Sequence, residues 1–262
     1  MGKNKLRKFA EMEQFPCVLQ YTFARLQQEG FPLKGRWGAD FFGNDNPIVL
    51  ELGCGKGEYT VGLARRFPDK NFIGIDIKGA RIYTGARQVH TEGIGNAAFL
   101  RAGIENLEAF FAPGEVSEIW VTFPDPQMQH VRRRLTGARF LNSYARVLKE
   151  GGRIHLKTDS PFLYTFTRRL AGHNSLPLHH DTADLYAEGG AAGVPDYVTD
   201  IQTFYEQQWL GRGKQIKFLS FNLTPGREVE NPDEEDIERD DYHAYARGLA
   251  RDPGLLADKD TD

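Results

Sequence analysis

Between Pro47 and Gly57 the chain reads PIVLELGCGKG: an apolar run that meets an acid, then three glycines at alternate positions. An unbroken apolar strand of this kind belongs in a parallel sheet covered on both faces, and parallel neighbours require crossover helices. The rest of the chain supplies them. Strand-like apolar runs fall at residues 48–51, 72–76, 97–101, 118–123 and 153–157, and helical periodicity at 59–66, 80–91 and 140–148. The alternation predicts an α/β fold with a doubly wound, mostly parallel sheet. Its ligand crevice belongs at the carboxyl ends of the strands, where Glu51, Asp76, Asp125 and Asp159 fall.

Glycine spacing narrows the ligand. A dinucleotide fingerprint places its third glycine where this chain has Glu58; here the pattern is Gly53-x-Gly55-x-Gly57, with Glu51 two residues before it. The second strand ends in Asp76, 19 residues beyond Gly57, where an acid can accept hydrogen bonds from both hydroxyls of a ribose. An acid beside the turn repels a diphosphate and favours a cation. The expected ligand is therefore S-adenosylmethionine, whose sulfonium and ammonium are both positive.

Composition is consistent with one catalytic domain. Of 262 residues, 40% are hydrophobic and 12% aromatic, enough for one α/β core. No apolar stretch approaches the roughly 18 residues of a membrane span, and MGKNKLRKF lacks a signal-peptide core, so a cytoplasmic protein without membrane association is expected. Two cysteines and seven scattered histidines suggest no metal site, and His179-His180-Asp181 reads as a solvated loop. The net charge of −3 conceals a division. Residues 228–262 hold 13 acids against 4 bases, leaving 23 acids and 29 bases in the body. The expected organisation is a basic arm and amphipathic helix over 1–46, a catalytic domain over 47–225, and an extended acidic tail over 226–262. Lys3, Lys5, Arg7 and Lys8 in the arm, and Lys34, Arg36 and Trp37 beyond it, are candidates for phosphate and base contacts.

The fourth strand ends in Trp120-Val-Thr-Phe-Pro-Asp-Pro126, followed by Arg132, Arg133 and Arg134. Two prolines stiffen the turn around Asp125 and aim its carboxylate, while the arginines offer phosphate contacts nearby. Taken together, ELGCGKG at 51–57, GID at 74–76, FPDP at 123–126 with its arginines, KTD at 157–159 and TFYE at 203–206 resemble the bacterial tRNA (guanine-N7-)-methyltransferases. FPDP with arginines is the most specific of these. The resemblance implies a seven-stranded Rossmann-like sheet of class I type and methyl transfer to the guanine at position 46 of the tRNA variable loop. Carried over by position, Glu51, Gly53, Gly55, Gly57, Asp76, Gly103, Ile104 and Asp125 are expected at the methyl donor. Asp125 is expected to be catalytic, with Arg132, Arg133, Arg134, Asp159, Thr203 and Glu206 at the tRNA. The expected assembly is a monomer or homodimer.

Two departures from the family pattern stand out. Gln127-Met128-Gln129 replaces Trp-x-Lys after the second proline, and Arg101-Ala-Gly-Ile104 lacks the usual third-strand acid, leaving Glu105 or Asn106 to compensate. Guanine N7 carries an in-plane lone pair and no proton, so the expected chemistry is alignment without a general base. Such a base must lie in a loop or be drawn from its stack, because side chains cannot read the narrow major groove of an RNA duplex. An adenine-N6 or protein methyltransferase would more often carry Asn/Asp-Pro-Pro-aromatic at the fourth strand. A non-catalytic RNA-binding protein on a degenerate methyltransferase fold is the alternative outside enzymes, and donor binding separates the two.

Overall fold

The computed structural model describes residues 3–240. Eight strands form one sheet: β1 Val18–Gln20, β2 Ile48–Leu52, β3 Asn71–Ile75, β4 Ala97–Arg101, β5 Val116–Thr122, β6 Leu148–Thr158, β7 Leu178–Thr182 and β8 Lys217–Asn222. Their spatial order is β1-β4-β3-β2-β5-β6-β8-β7. The strands pair in parallel except at β8, which runs antiparallel to both β6 and β7. Chain order reverses between β2 and β5, so the crevice opens at the carboxyl ends of those two strands.

Every residue of β2 and β3 is buried, as continuous apolar strands between two helical layers must be. Side-chain alternation divides the core. Leu50, Ile73, Ile119 and Leu156 face one cluster, and Val49, Phe72, Trp120 and Phe218 the other. The helices are α1 Lys3–Met12, α2 Phe23–Glu29, α3 Glu58–Arg66, α4 Gly79–Glu92, α5 Leu107–Phe110, α6 Ala138–Val147, α7 Pro161–His173, α8 Leu185–Glu188, α9 Tyr197–Asp200 and α10 Phe204–Leu210. Among the described residues, no helix is long and apolar enough to cross a membrane.

Three expectations about the periphery are corrected. The sheet has eight strands, not seven, because part of the segment read as one amphipathic helix forms edge strand β1, parallel to β4. His179 and His180 belong to β7 rather than to a loop. Trp37 is fully buried, stacked on Phe111 at 5.5 Å, and donates from Nε1 to the Phe110 carbonyl at 3.0 Å, so its ring serves the core and not a nucleobase.

The stretch expected as an extended tail begins as a docked strap. Val229 and Ile237 are buried, and the backbone of Val229 exchanges hydrogen bonds with the Asn142 side chain at 2.8 and 3.1 Å. Its polar groups complete helix termini. Asn231 accepts from the Ala138 amide at the start of α6 at 2.9 Å, and Asp240 accepts from the Phe162 amide at the start of α7 at 2.8 Å and from the Ser160 hydroxyl. The acids of residues 241–262, and the side chains of Lys3 and Lys5, lie outside the described residues. Of the remaining basic arm, Arg7 pairs with Glu11 at 3.5 Å and Lys8 stands 5.1 Å over the Tyr83 ring, packing α1 against α4.

Candidate functional site

The glycine turn is built from backbone conformations that side chains resist. Gly53, Gly55 and Gly57 have φ of 75°, 56° and 73°. At Gly57 a Cβ would meet the Phe99 ring at 2.4 Å, so this glycine lets the turn close onto the sheet. Over Gly53 and Gly55 the space is open: a Cβ would find only Leu135 Cδ1 at 3.8 Å and the Gly53 carbonyl oxygen at 3.9 Å. A cradle of bare backbone therefore faces the crevice.

Two acids hold this turn. The Asp76 carboxylate accepts from the Gly55 amide at 3.0 Å and from the Lys78 amide at 2.8 Å, which locks the end of β3 to the glycines. Glu51 is buried and accepts from the Thr60 amide at 2.8 Å, the Thr60 hydroxyl and the Thr122 hydroxyl at 2.7 Å. All its partners are neutral. Burial pushes its carboxyl up to about 7, although the threonine hydrogen bonds oppose the shift. A cation beside Glu51 would return it to the ionised form, so the donor set fits a positively charged ligand.

At the next strand end a cavity of about 310 Å³ opens between the β3 and β4 termini and the amino-terminal segment. Its lining includes Phe23, Ile77, Arg101, Gly103, Glu105 and Asn106. Phe23 and Ile77, both in this lining, are 61% and 64% exposed. Gly103 lines this cavity, whereas Ile104 packs on the core and is absent from the lining. The contribution of Phe23 was not foreseen. It depends on β1 joining the sheet, which three residues of strand do not announce in the sequence.

Neighbouring strand β5 delivers the acid loop. Leu52 and Val121 are register partners, so the glycine turn and Phe123–Asp125 leave adjacent strands side by side. Phe123 and Gln127 have φ of 48° and 49°, and this sparsely populated backbone brackets Asp125. Asp125 Oδ1 accepts from the Gln127 amide at 3.1 Å, and the Phe123 amide donates to the Lys157 carbonyl at 2.8 Å. The carboxylate is half-buried and fixed.

The three arginines part company. Arg132 and Arg133 are exposed on a short helical turn, available to phosphates. Arg134 is fully buried, and its expected role at the tRNA is corrected. Its Nε donates to the Pro126 carbonyl at 3.1 Å, Nη2 to the Gln127 carbonyl at 3.2 Å, and Nη1 pairs with Glu234 at 2.5 Å. The guanidinium lies 3.9 Å from the Phe166 ring centroid and 4.8 Å from that of Phe162. The guanidinium itself has no exposed surface, while Glu234 stays about one-third exposed.

Beyond β6, Asp159 is buried and neither carboxylate oxygen has a hydrogen-bond partner. Burial raises its carboxyl to about 6. A buried acid without a hydrogen-bond donor is costly to hold, and Asp159 sits just past the carboxyl end of β6. Glu206 differs: it is fully buried against Lys157 Nζ at 2.6 Å and also accepts from the Tyr186 hydroxyl at 2.8 Å. Burial pushes the Lys157 ammonium down and the Glu206 carboxyl up, each opposed by its partner. Thr203 and Glu206, expected at the tRNA, form the capping box of α10, so both have a structural task in the fold. What this segment offers to solvent is Phe204 and Tyr205, 43% and 40% exposed, with Lys56 Nζ from the glycine turn 3.7 Å over the Phe204 ring.

Comparison with known proteins identifies the family. Residues 45–219 match a family model described as "Putative methyltransferase". The tRNA (guanine-N(7)-)-methyltransferase of Porphyromonas gingivalis is 62% identical over 239 residues, covering 90% of this chain and 96% of its own. That of Bacteroides thetaiotaomicron is 52% identical over 247 residues, covering 94% and 96%. Among solved structures, an antibiotic-related methyltransferase aligns with TM-score 0.53 at 15% identity over 79% of this chain and 96% of its own, a likeness of fold. The chain belongs to the tRNA (guanine-N7-)-methyltransferase family.

Proposed function

We propose that this protein, as a member of that family, transfers a methyl group from S-adenosylmethionine to N7 of a guanine in tRNA, the variable-loop guanine at position 46. The observation that carries the reading is the emergence of the glycine cradle and the Asp125 loop from adjacent strands at the switch point of the sheet. When bound, S-adenosylmethionine supplies a methyl group on a cationic sulfur. Gly53 and Gly55 present backbone to it, Glu51 favours its positive charge, and Asp76 offers its remaining lone pairs to the ribose. The cavity beside Gly103 takes the flat ring, with Glu105 and Asn106 as the polar groups in place of a third-strand acid.

Asp125 works by placement. It accepts from guanine N–H groups, turns N7 toward the crevice, and favours the positive charge that the base acquires. Alignment of this kind supplies several kcal/mol of the roughly 7–11 available from positioning. Asp159 is the second acceptor for the guanine, and Arg132 and Arg133 hold flanking phosphates. Asp125→Asn keeps the shape and removes the charge. It is expected to slow single-turnover transfer by about 10²-fold while donor and tRNA affinities change little. Parent rates are expected to be flat from neutral to alkaline pH, and a tenfold climb per pH unit through neutrality would instead demand a general base.

A further inference from the structure

The carboxy-terminal strap reaches the acceptor loop through one buried side chain. Arg134 donates to two consecutive carbonyls, Pro126 and Gln127, immediately after Asp125, and its third hydrogen-bonding arm ends on Glu234, 100 residues away. We propose that Glu234 and Arg134 are positioning residues that hold the Asp125 loop in its strained conformation, so that the strap is part of the acceptor site rather than an appendage.

Three observations support the assignment. The Asp125 loop is costly to hold, since Phe123 and Gln127 both have positive φ, and Gln127 is itself one of the residues that Arg134 grips. Arg134 has no freedom to do anything else: it is fully buried between Phe162 and Phe166, with both termini of its fork engaged. A guanidinium enclosed in this way needs an anion, and Glu234 is the carboxylate paired with it. Strap and loop are thereby coupled. Charge on the strap orients the arginine, the arginine orients the two carbonyls, and the carbonyls fix the turn that carries Asp125 and donates the Gln127 amide to it. The strap also fastens elsewhere, by a two-armed pair between Asp236 and Arg169 at 2.5 and 2.9 Å on the exposed surface. That second clasp touches neither the loop nor Arg134, which makes it the natural control.

The proposal rests on the reading of Asp125 as the residue that meets the acceptor, so the experiment includes it. Parent, Asp125→Asn, Glu234→Gln, Glu234→Asp and Asp236→Asn are compared as full chains with unmodified tRNA. Thermal midpoint, donor affinity, tRNA affinity and single-turnover rate are read for each. Glu234→Gln is expected to lower the single-turnover rate about tenfold at saturating donor and tRNA, with both affinities within twofold of the parent. Glu234→Asp restores part of that loss by returning the charge, and Asp236→Asn keeps the parent rate. A merely structural strap gives a different pattern: a lowered melting midpoint for Glu234→Gln and Asp236→Asn alike, with rates equal to the parent below that midpoint, and this overturns the proposal. Parent-like transfer by Asp125→Asn overturns the reading of Asp125 and the relay with it. Slow transfer by Asp125→Asn beside parent-like transfer by both Glu234 variants overturns the relay alone. If Glu234→Gln does not fold, Glu234→Asp decides: a folded variant whose rate is unaltered despite the shortened arm contradicts the coupling, and a selective loss of rate upholds it.

Discussion

The donor side and the acceptor side of the crevice are built from different materials. On the donor side the working parts are backbone: three glycines with positive φ and the amides of Gly55, Lys78 and Thr60, which the acids of β2 and β3 bind. On the acceptor side they are charged side chains, and the fold has claimed several of them. Arg134 clamps its own loop, and Lys157 and Glu206 neutralise each other in the core. Asp159 keeps both carboxylate oxygens without a hydrogen bond, and Arg132 and Arg133 are exposed. A backbone cradle is specified by local sequence, whereas the use of a charged side chain depends on what else packs against it.

Four variants probe that division, the largest effect first. Lys157→Met leaves the Glu206 carboxylate buried without its partner, and a loss of about 3–5 kcal/mol in folding stability is expected by denaturant titration. A small loss would mean that Glu206 finds solvent or substrate instead, returning it to the acceptor site.

Asp159→Asn is expected to act in the opposite direction. The Asp159 carboxyl rises from an ordinary 3.8 to about 6 on folding, so the folded chain binds the proton more tightly and unfolding releases it between these values. Stability therefore falls as pH rises from about 4 to 6 and stays lower above. Removing the carboxylate gains up to about 3 kcal/mol at pH 7 and flattens that part of the pH profile. Methyl transfer falls in the same variant. A variant that is neither stabilised nor slowed would remove Asp159 from the site.

On the donor side the sharper test is pH. With the Glu51 carboxyl near 7, donor affinity is expected to rise several-fold between pH 6 and 8 as the group ionises, and Glu51→Gln to abolish the dependence, both read by calorimetry. A pH-independent parent would mean that Glu51 only braces Thr60 and Thr122. The smallest effect concerns the exposed arginines. Replacing Arg132 and Arg133 together with Gln is expected to lower the salt slope of tRNA binding by roughly 0.7–0.9 per lost phosphate contact without altering stability. An unchanged slope would place both in solvent.

This contrast also explains what the sequence disclosed. The apolar run at β2, the glycine spacing and the acids closing β2 and β3 each depend on neighbours within a few residues, and all appear where local patterning placed them. Asp125 was legible because two prolines mark its turn. Arg134 was not, since nothing in three consecutive arginines says which one will meet Glu234 across 100 residues of chain. Trp37 likewise reads as surface or core until Phe110 and Phe111 close over it. Edge strand β1 is only three residues long and owes its conformation to β4 rather than to its own propensity. The strap was hidden by its charge: an acidic segment normally stays solvated, but Asn231 and Asp240 cap α6 and α7.

On the proposed function, this crevice places guanine N7 of a tRNA before the methyl donor. The direct test incubates the protein with unmodified tRNA and S-adenosylmethionine labelled in the methyl group, then cleaves the RNA at the chemically labile N7-methylguanosine and maps the break. Label incorporation with one break at the variable-loop guanine is expected, reduced about 10²-fold in Asp125→Asn. Label that appears at a base nitrogen insensitive to this cleavage, or no transfer by a protein that binds both donor and tRNA, would contradict it.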